Sequence, residues 1–209
     1  MTRAFVALAP PAAQGAALAG YIERCRALAP GFRWVAPEGV HLTLRFLGRV
    51  ADPILEDIRA RLRGVRHPAF EVGLDGLGTF GGRRPSVVWL GMATGLEPAA
   101  TLARAVEAEC VAAGLAPEAR PFRAHLTLAR ARERAGAPLP QLPPPPELTP
   151  WTAEEMVLYE SRPTGQGPPL YLPIESFRLA RLRQEIGVGD GFGAGNRIQS
   201  GRWEGHLRR

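Results

Sequence analysis

Val40-His41-Leu42-Thr43-Leu44 returns in the second half of the chain as Ala124-His125-Leu126-Thr127-Leu128. Both strings alternate apolar and polar residues, the pattern of a half-buried strand. Successive strand side chains point to opposite faces, so His41 and Thr43 share one face while Leu42 and Leu44 share the other. His125 and Thr127 share a face by the same count. Each copy therefore offers an imidazole and a hydroxyl about 7 Å apart, on a strand anchored from behind by leucines. The repeat uses two of only four histidines in the chain.

Outward from the first copy, residues 3–9 read as a buried strand, and Pro10-Pro11 opens a helix over 12–29 with Leu18, Tyr21, Ile22 and Cys25 at helical spacing. The strand at 40–47 is expected to close at Gly48. Asp52-Pro53 reads as an N-cap followed by proline at the first helical position, with Ile54, Leu55, Ile58 and Leu62 on one apolar face. Strands are expected at 69–75 and 86–91, joined by a Gly-rich linker from Gly76 to Pro85. A helix spans about 96–113, with Leu102, Ala103, Val106 and Cys110 on one side and Gly114 as its stop. The second copy lies in a strand at 122–130. Residues 136–150, with four consecutive prolines, form an extended loop, and strands at 153–160 and 170–179 follow. The alternation of strands and helices gives an α+β class.

The chain has 209 residues, 45% of them hydrophobic and 22% charged, which fits one folded unit and excludes full-length disorder. It carries 24 Gly and 21 Pro, so turns are frequent. No apolar run reaches the roughly 20 residues of a membrane-spanning helix, so no membrane association is expected. The run Ala4–Ala9 stops at Pro10-Pro11, too short for a signal peptide, and the cytoplasm is the expected location. All 26 basic side chains are arginine. A P-loop lysine, a Schiff-base lysine and a lysine general base are therefore excluded. The net charge of +6 suits an anionic partner. Cys25 and Cys110 read as buried thiols, and the histidines show no metal-ligand spacing, so neither a metal nor another cofactor is expected. The segment 184–209 is rich in Gly and Arg and is expected to be a flexible tail beyond a domain of residues 1–183. Arg197, Arg202, Arg208 and Arg209 would be its contacts to nucleic acid.

Two imidazoles and two hydroxyls without a metal suit in-line displacement at phosphorus. One neutral imidazole accepts a proton while the other, protonated, donates one. The hydroxyls donate to the non-bridging oxygens, and an arginine balances their charge. Arg45, Arg123 and Arg130 all lie within five residues of a histidine. Arg130 has the wrong parity to share a face with His125 and Thr127. It reaches the site only if the strand twists, bulges or ends near Ala129.

These residues, with their flanks, resemble the two-histidine phosphoesterases, and within them the RNA 2′,3′-cyclic phosphodiesterases of the bacterial and archaeal 2′-5′ RNA ligase family. The likeness is carried by Trp34-Val35-x-Pro37, His41 through Gly48, Arg84-Pro85-Ser86-Val87-Val88-Trp89-Leu90-Gly91, Phe122-x-x-His125 through Arg130, Tyr159-Glu160-Ser161-Arg162, and Gly167-Pro168-x-x-Tyr171. It runs from about residue 2 to 183. The resemblance implies a bilobal, pseudo-twofold α+β fold, with two antiparallel sheets and flanking helices around a central cleft. It implies metal-independent hydrolysis of an RNA 3′-terminal 2′,3′-cyclic phosphate to a 2′-phosphate. His41 aligns with the proton donor, His125 with the proton acceptor, and Thr43, Thr127 and Arg130 with substrate-binding groups. Where the family has proline before its second histidine, this chain has Ala124.

The expected partners are RNA 3′ ends or nucleotide 2′,3′-cyclic phosphates, with no obligate protein partner and a monomeric state. Two alternatives stand beside hydrolysis: 2′-5′ ligation by the reverse chemistry, and a non-catalytic module that binds RNA ends. Phe46 could stack on a base, but its parity with Leu42 and Leu44 favours the core. Trp34 and Trp89 read as core or rim, and Arg83-Arg84 as a solvated turn. His67 and His206 receive no role.

Overall fold

The computed structural model describes residues 1–165 and 167–180. The proposed tail at 184–209, with Arg197, Arg202, Arg208, Arg209 and His206, lies outside the described residues. Among the described residues, three helices and nine strands alternate as β1 (Thr2–Leu8), α1 (Ala12–Leu28), β2 (Phe32–Trp34), β3 (Leu42–Val50), α2 (Asp52–Leu62), β4 (Phe70–Phe80), β5 (Val87–Thr94), α3 (Leu96–Ala112), β6 (His125–Ala131), β7 (Trp151–Ala153), β8 (Glu155–Arg162) and β9 (Leu170–Arg178). A 3-10 turn at Pro37–Gly39 precedes β3. The α+β class expected from the alternation is the observed one.

Strand pairing runs β7-β4-β5-β6-β3-β1-β8-β9, and β2 pairs with β6. All the strand–strand pairings are antiparallel. The two sheets implied by the resemblance are thus one continuous path, joined in the middle by a single register pair, Leu42 with Leu126. That junction is the repeat itself. Beyond Leu126, β6 parts from β3 and pairs instead with β2, through Phe32–Ala131, Arg33–Arg130 and Trp34–Ala129.

One face of the sheet is covered by the helices. Leu18, Tyr21 and Ile22 of α1, Leu55, Ile58 and Leu62 of α2, and Leu102 and Val106 of α3 form one buried cluster with Leu42, Leu44, Leu126 and Leu128. The leucines of both repeats are therefore the floor of the core, which frees the histidine and threonine face. The loop 136–150 is tied across α1. Gln14 Nε2 donates to the Thr149 carbonyl (2.7 Å) and the Tyr21 hydroxyl to the Pro143 carbonyl (3.1 Å).

Several local expectations change. Gly76 does not begin a linker: with φ of 74° it is the extra residue of a bulge, and β4 continues to Phe80 in register with β5. Likewise β3 passes through Gly48 to Val50. Ala51, with extended backbone, is the N-cap of α2, so Asp52 is its first residue and Pro53 follows inside the first turn. The three-residue β2 was not read from the sequence; it is too short to show a period.

Candidate active site

His41 follows the 3-10 turn, and its Nδ1 lies 2.8 Å from the carbonyl oxygen of Gly39. His125 opens β6, and its Nδ1 lies 2.7 Å from the carbonyl oxygen of Arg123. A carbonyl can only accept, so each neutral imidazole carries its proton on Nδ1 and leaves Nε2 as the basic nitrogen. The two copies build the same tether, to the carbonyl two residues upstream. Ala124, in place of the family's proline, leaves it intact.

The antiparallel Leu42–Leu126 pair sets the two motifs side by side, running in opposite directions. Thr43 and Thr127 are half-buried on the histidine face. Both strands then slip by one residue. On β3, Ala7 pairs with Thr43 but Val6 with Arg45, so Leu44 is the extra residue. On β6, Trp89 pairs with Thr127 but Val88 with Ala129, so Leu128 is the extra residue. Each bulge reverses the face of the residues that follow it, on β3 until a second slip at Leu47.

The consequence for β6 is that Leu128 and Ala129 are both buried and Arg130 emerges on the histidine face. The bulge is thus the condition under which Arg130 reaches the site. Its positive charge lowers the pKa of both His41 and His125. Arg130 has no ion-pair partner among the described residues. It sits beside Tyr171 and feels the charges of Arg3 and Arg120.

The bulge on β3 has the matching effect and overturns the core reading of Phe46. Leu44 and Arg45 are both buried, whereas Phe46 is 46% exposed on the side of His41 and Thr43. Arg45 is turned away from the site. It pairs with Glu107 and Glu118 (3.3 Å to the latter) and donates to the carbonyls of Ala116 (2.7 Å) and Phe46 (2.8 Å). Of the three arginines near the histidines, the structure therefore brings the Arg130 side chain to both imidazoles, commits Arg45 to the core, and uses the Arg123 carbonyl.

Aromatic rings wall both histidines. Phe5 lies 4.6 Å and Tyr171 5.0 Å from the His41 ring, the latter edge-on. Phe80 lies 5.2 Å from His125, edge-on, and Trp89 6.1 Å. A Cβ on Gly78 would overlap the Trp89 indole, so glycine there makes room for this rim residue. Phe5 and Phe80 carry no motif and were missed; Tyr171 was visible in the C-terminal signature but had no role. Trp34 is core, and Arg84 is held by Glu133 and the Gly136 carbonyl. His67 is buried against Phe70 with Nδ1 on the Pro68 carbonyl. Both cysteines are buried.

Burial lowers both histidine pKa values. His41, the deeper one, falls from the ordinary 6.5 to about 4: burial is the largest cause, the Gly39 carbonyl opposes it, and Arg130 and His125 add to it. His125 is lowered by burial and then by Arg130, against the Arg123 carbonyl. Both imidazoles are neutral at pH 7 in the free chain. An entering phosphate, being anionic, raises both values toward a protonated acid. Among the described residues no group of three or more His, Cys, Asp and Glu side chains is placed to hold a metal ion.

A sequence profile of the 2′-5′ RNA ligase superfamily matches residues 10–165. A protein of Aeropyrum pernix described as an RNA 2′,3′-cyclic phosphodiesterase is 37% identical over 105 residues, covering 50% of this chain and 60% of that protein. One of Escherichia coli K12, described in the same words, is 31% identical over 149 residues, covering 71% of this chain and 81% of its own. The crystal structure of E. coli LigT complexed with 3′-AMP superposes with a TM-score of 0.71 at 29% identity, over 85% of this chain and 98% of that one.

Proposed function

This chain belongs to the 2′-5′ RNA ligase superfamily, and on that premise we propose that it hydrolyses the 2′,3′-cyclic phosphate at an RNA 3′ end to a 2′-phosphate. The observation that carries the reading is the mirrored pair of tethered imidazoles, each with Nε2 free on one sheet face, together with Arg130. His125 Nε2 takes a proton from water as its oxygen attacks phosphorus. The P–O3′ bond breaks, and the departing 3′ oxygen takes a proton from His41 Nε2. Thr43, Thr127 and Arg130 hold the non-bridging oxygens, which stay negative throughout. Phe46 supplies a ring on which the terminal base stacks.

The same residues serve ligation when a 5′-hydroxyl RNA end replaces water. A pure binding module would need neither two free imidazole nitrogens nor their opposed placement. We place the enzyme in the cytoplasm, as a monomer without an obligate protein partner, with residues 1–183 as the catalytic unit.

The test is a short RNA ending in a 2′,3′-cyclic phosphate, incubated with excess EDTA, with and without a 5′-hydroxyl RNA. The expected product is a 2′-phosphate end, with a 2′-5′ joined species only when the second RNA is abundant. A 3′-phosphate end, or loss of turnover on chelation, would contradict the mechanism.

A further inference from the structure

A cavity of about 440 Å³ opens beside His41, lined there by Gly39 and Val40 and not by Thr43. We infer that it is the subsite for the nucleotide preceding the terminal one, which makes an RNA end, rather than a cyclic mononucleotide, the better substrate. The inference rests on the cyclic-phosphate reading above, and specifically on His41 as donor to the 3′ oxygen.

The walls suit a nucleobase. Phe5 is buried behind this wall, stacked on Tyr159 (centroids 5.3 Å apart, planes 19° apart) and met edge-on by Tyr171 at 5.0 Å, so the half-buried Tyr159 and Tyr171 offer the ring surface a base can reach. All three line the cavity with His41. Opposite them the wall is the first half of α1, where Ala12, Gly15, Ala16 and Ala19 leave the space open. At Gly15 a Cβ would lie 3.1 Å from the Pro37 carbonyl oxygen, so a larger residue would press on the turn that precedes His41. Glu38, the one carboxylate on the wall, offers an acceptor to an exocyclic amine. The first turn of α1 carries no acidic residue, so nothing there repels an RNA phosphate.

Ribose chemistry sets the direction. The base hangs from C1′, next to C2′, whereas C5′ hangs from C4′, next to C3′. With O3′ at His41, the 2′ side and the base point away from His41, toward Phe46 farther along β3. The C5′ side, and with it the rest of the chain, points past His41 into the cavity. Phe46 is not part of that cavity. The terminal base thus meets Phe46, outside the cavity though its ring lies 6.1 Å from that of Phe5, and the preceding base enters the cavity beside Tyr159 and Tyr171.

The experiment compares kcat/KM for a 2′,3′-cyclic mononucleotide with that for a dinucleotide ending in the same cyclic phosphate. Wild type is expected to favour the dinucleotide about tenfold, the size of one base–aromatic stack. Ala16→Leu, at an exposed position of α1 on the cavity wall, is expected to bring the ratio close to one. A partly unfolded sample lowers both rates and leaves the ratio unaltered. Equal rates in wild type, or the same ratio in Ala16→Leu, would overturn the subsite. Calorimetric binding of the mono- and dinucleotide 2′-phosphates needs no turnover. Tighter dinucleotide binding that Ala16→Leu abolishes supports the subsite even if the hydrolysis reading fails, and equal binding overturns it.

Discussion

The two H-L-T-L strings share their histidine tether, their leucine anchors and their bulge, and they part at the two residues that follow. The fourth residue after the histidine is Arg45 in the first copy and Ala129 in the second. Arg45 is buried among Glu107, Glu118 and two backbone carbonyls; Ala129 fills the core without a charge. The fifth residue is Phe46 in one and Arg130 in the other, and both emerge on the histidine face because each strand slips by one residue. A common backbone device therefore delivers an exposed ring on one side and, on the other, a cation without an ion-pair partner among the described residues. In the proposed reaction the ring is the platform for the base and the cation the charge that meets the phosphate, and the repeat supplies them by varying one position.

The comparison breaks first at the histidines. His41→Ala and His125→Ala are each expected to lower kcat on the cyclic-phosphate RNA by roughly 10² to 10⁴-fold, the range of one acid–base role. The double variant should fall well short of the product of the two losses, because either proton transfer fails without the other. If one single variant kept most of its rate, the pair would not be acting as acid and base.

Arg130→Gln against Phe46→Ala sharpens the division of labour at the fifth position. Loss of the cation is expected to lower kcat about 10²-fold, since it meets the additional negative charge that builds on the non-bridging oxygens as water adds to phosphorus. Loss of the ring is expected to raise KM about fivefold to tenfold with little change in kcat, as for a base stack. Reversed patterns would mean that the two residues exchange these roles. The smallest effect belongs to truncation after Arg183, which should leave kcat on a short substrate within about twofold, the scatter of context-dependent contacts. A large loss would place a part of the site beyond residue 183.

Much of this was legible because the repeat carries its own geometry. The alternation of Leu42 and Leu126 with the histidines settles which face is core, and helix-period apolar residues locate α1, α2 and α3 to within a residue or two. What sequence parity missed were the bulges. Phe46 has the parity of Leu44, and only the slip at Leu44, forced by pairing with β1, turns it outward. Arg130 shows the converse: its parity was wrong, and the slip at Leu128 against β5 corrects it. The aromatic walls escaped for another reason. Phe5, Phe80 and Tyr171 come from strands distant in sequence, and only the sheet order brings them to the histidines. The single-pair junction between β3 and β6 depends on β2, whose three residues show no period.

The pH dependence of kcat/KM, measured on the cyclic-phosphate RNA in EDTA, tests most directly that two depressed imidazoles do the work. On the acid side activity falls as the base, His125, becomes protonated. On the alkaline side it falls as the donor, His41, loses its proton, and its free-state pKa is about 4. Both groups are lowered in the free enzyme, so both limbs of the bell are expected below pH 6.5. The bell for kcat should lie at higher pH, because bound phosphate raises both values. A kcat/KM that stays level or climbs above pH 7 would contradict the paired-imidazole mechanism.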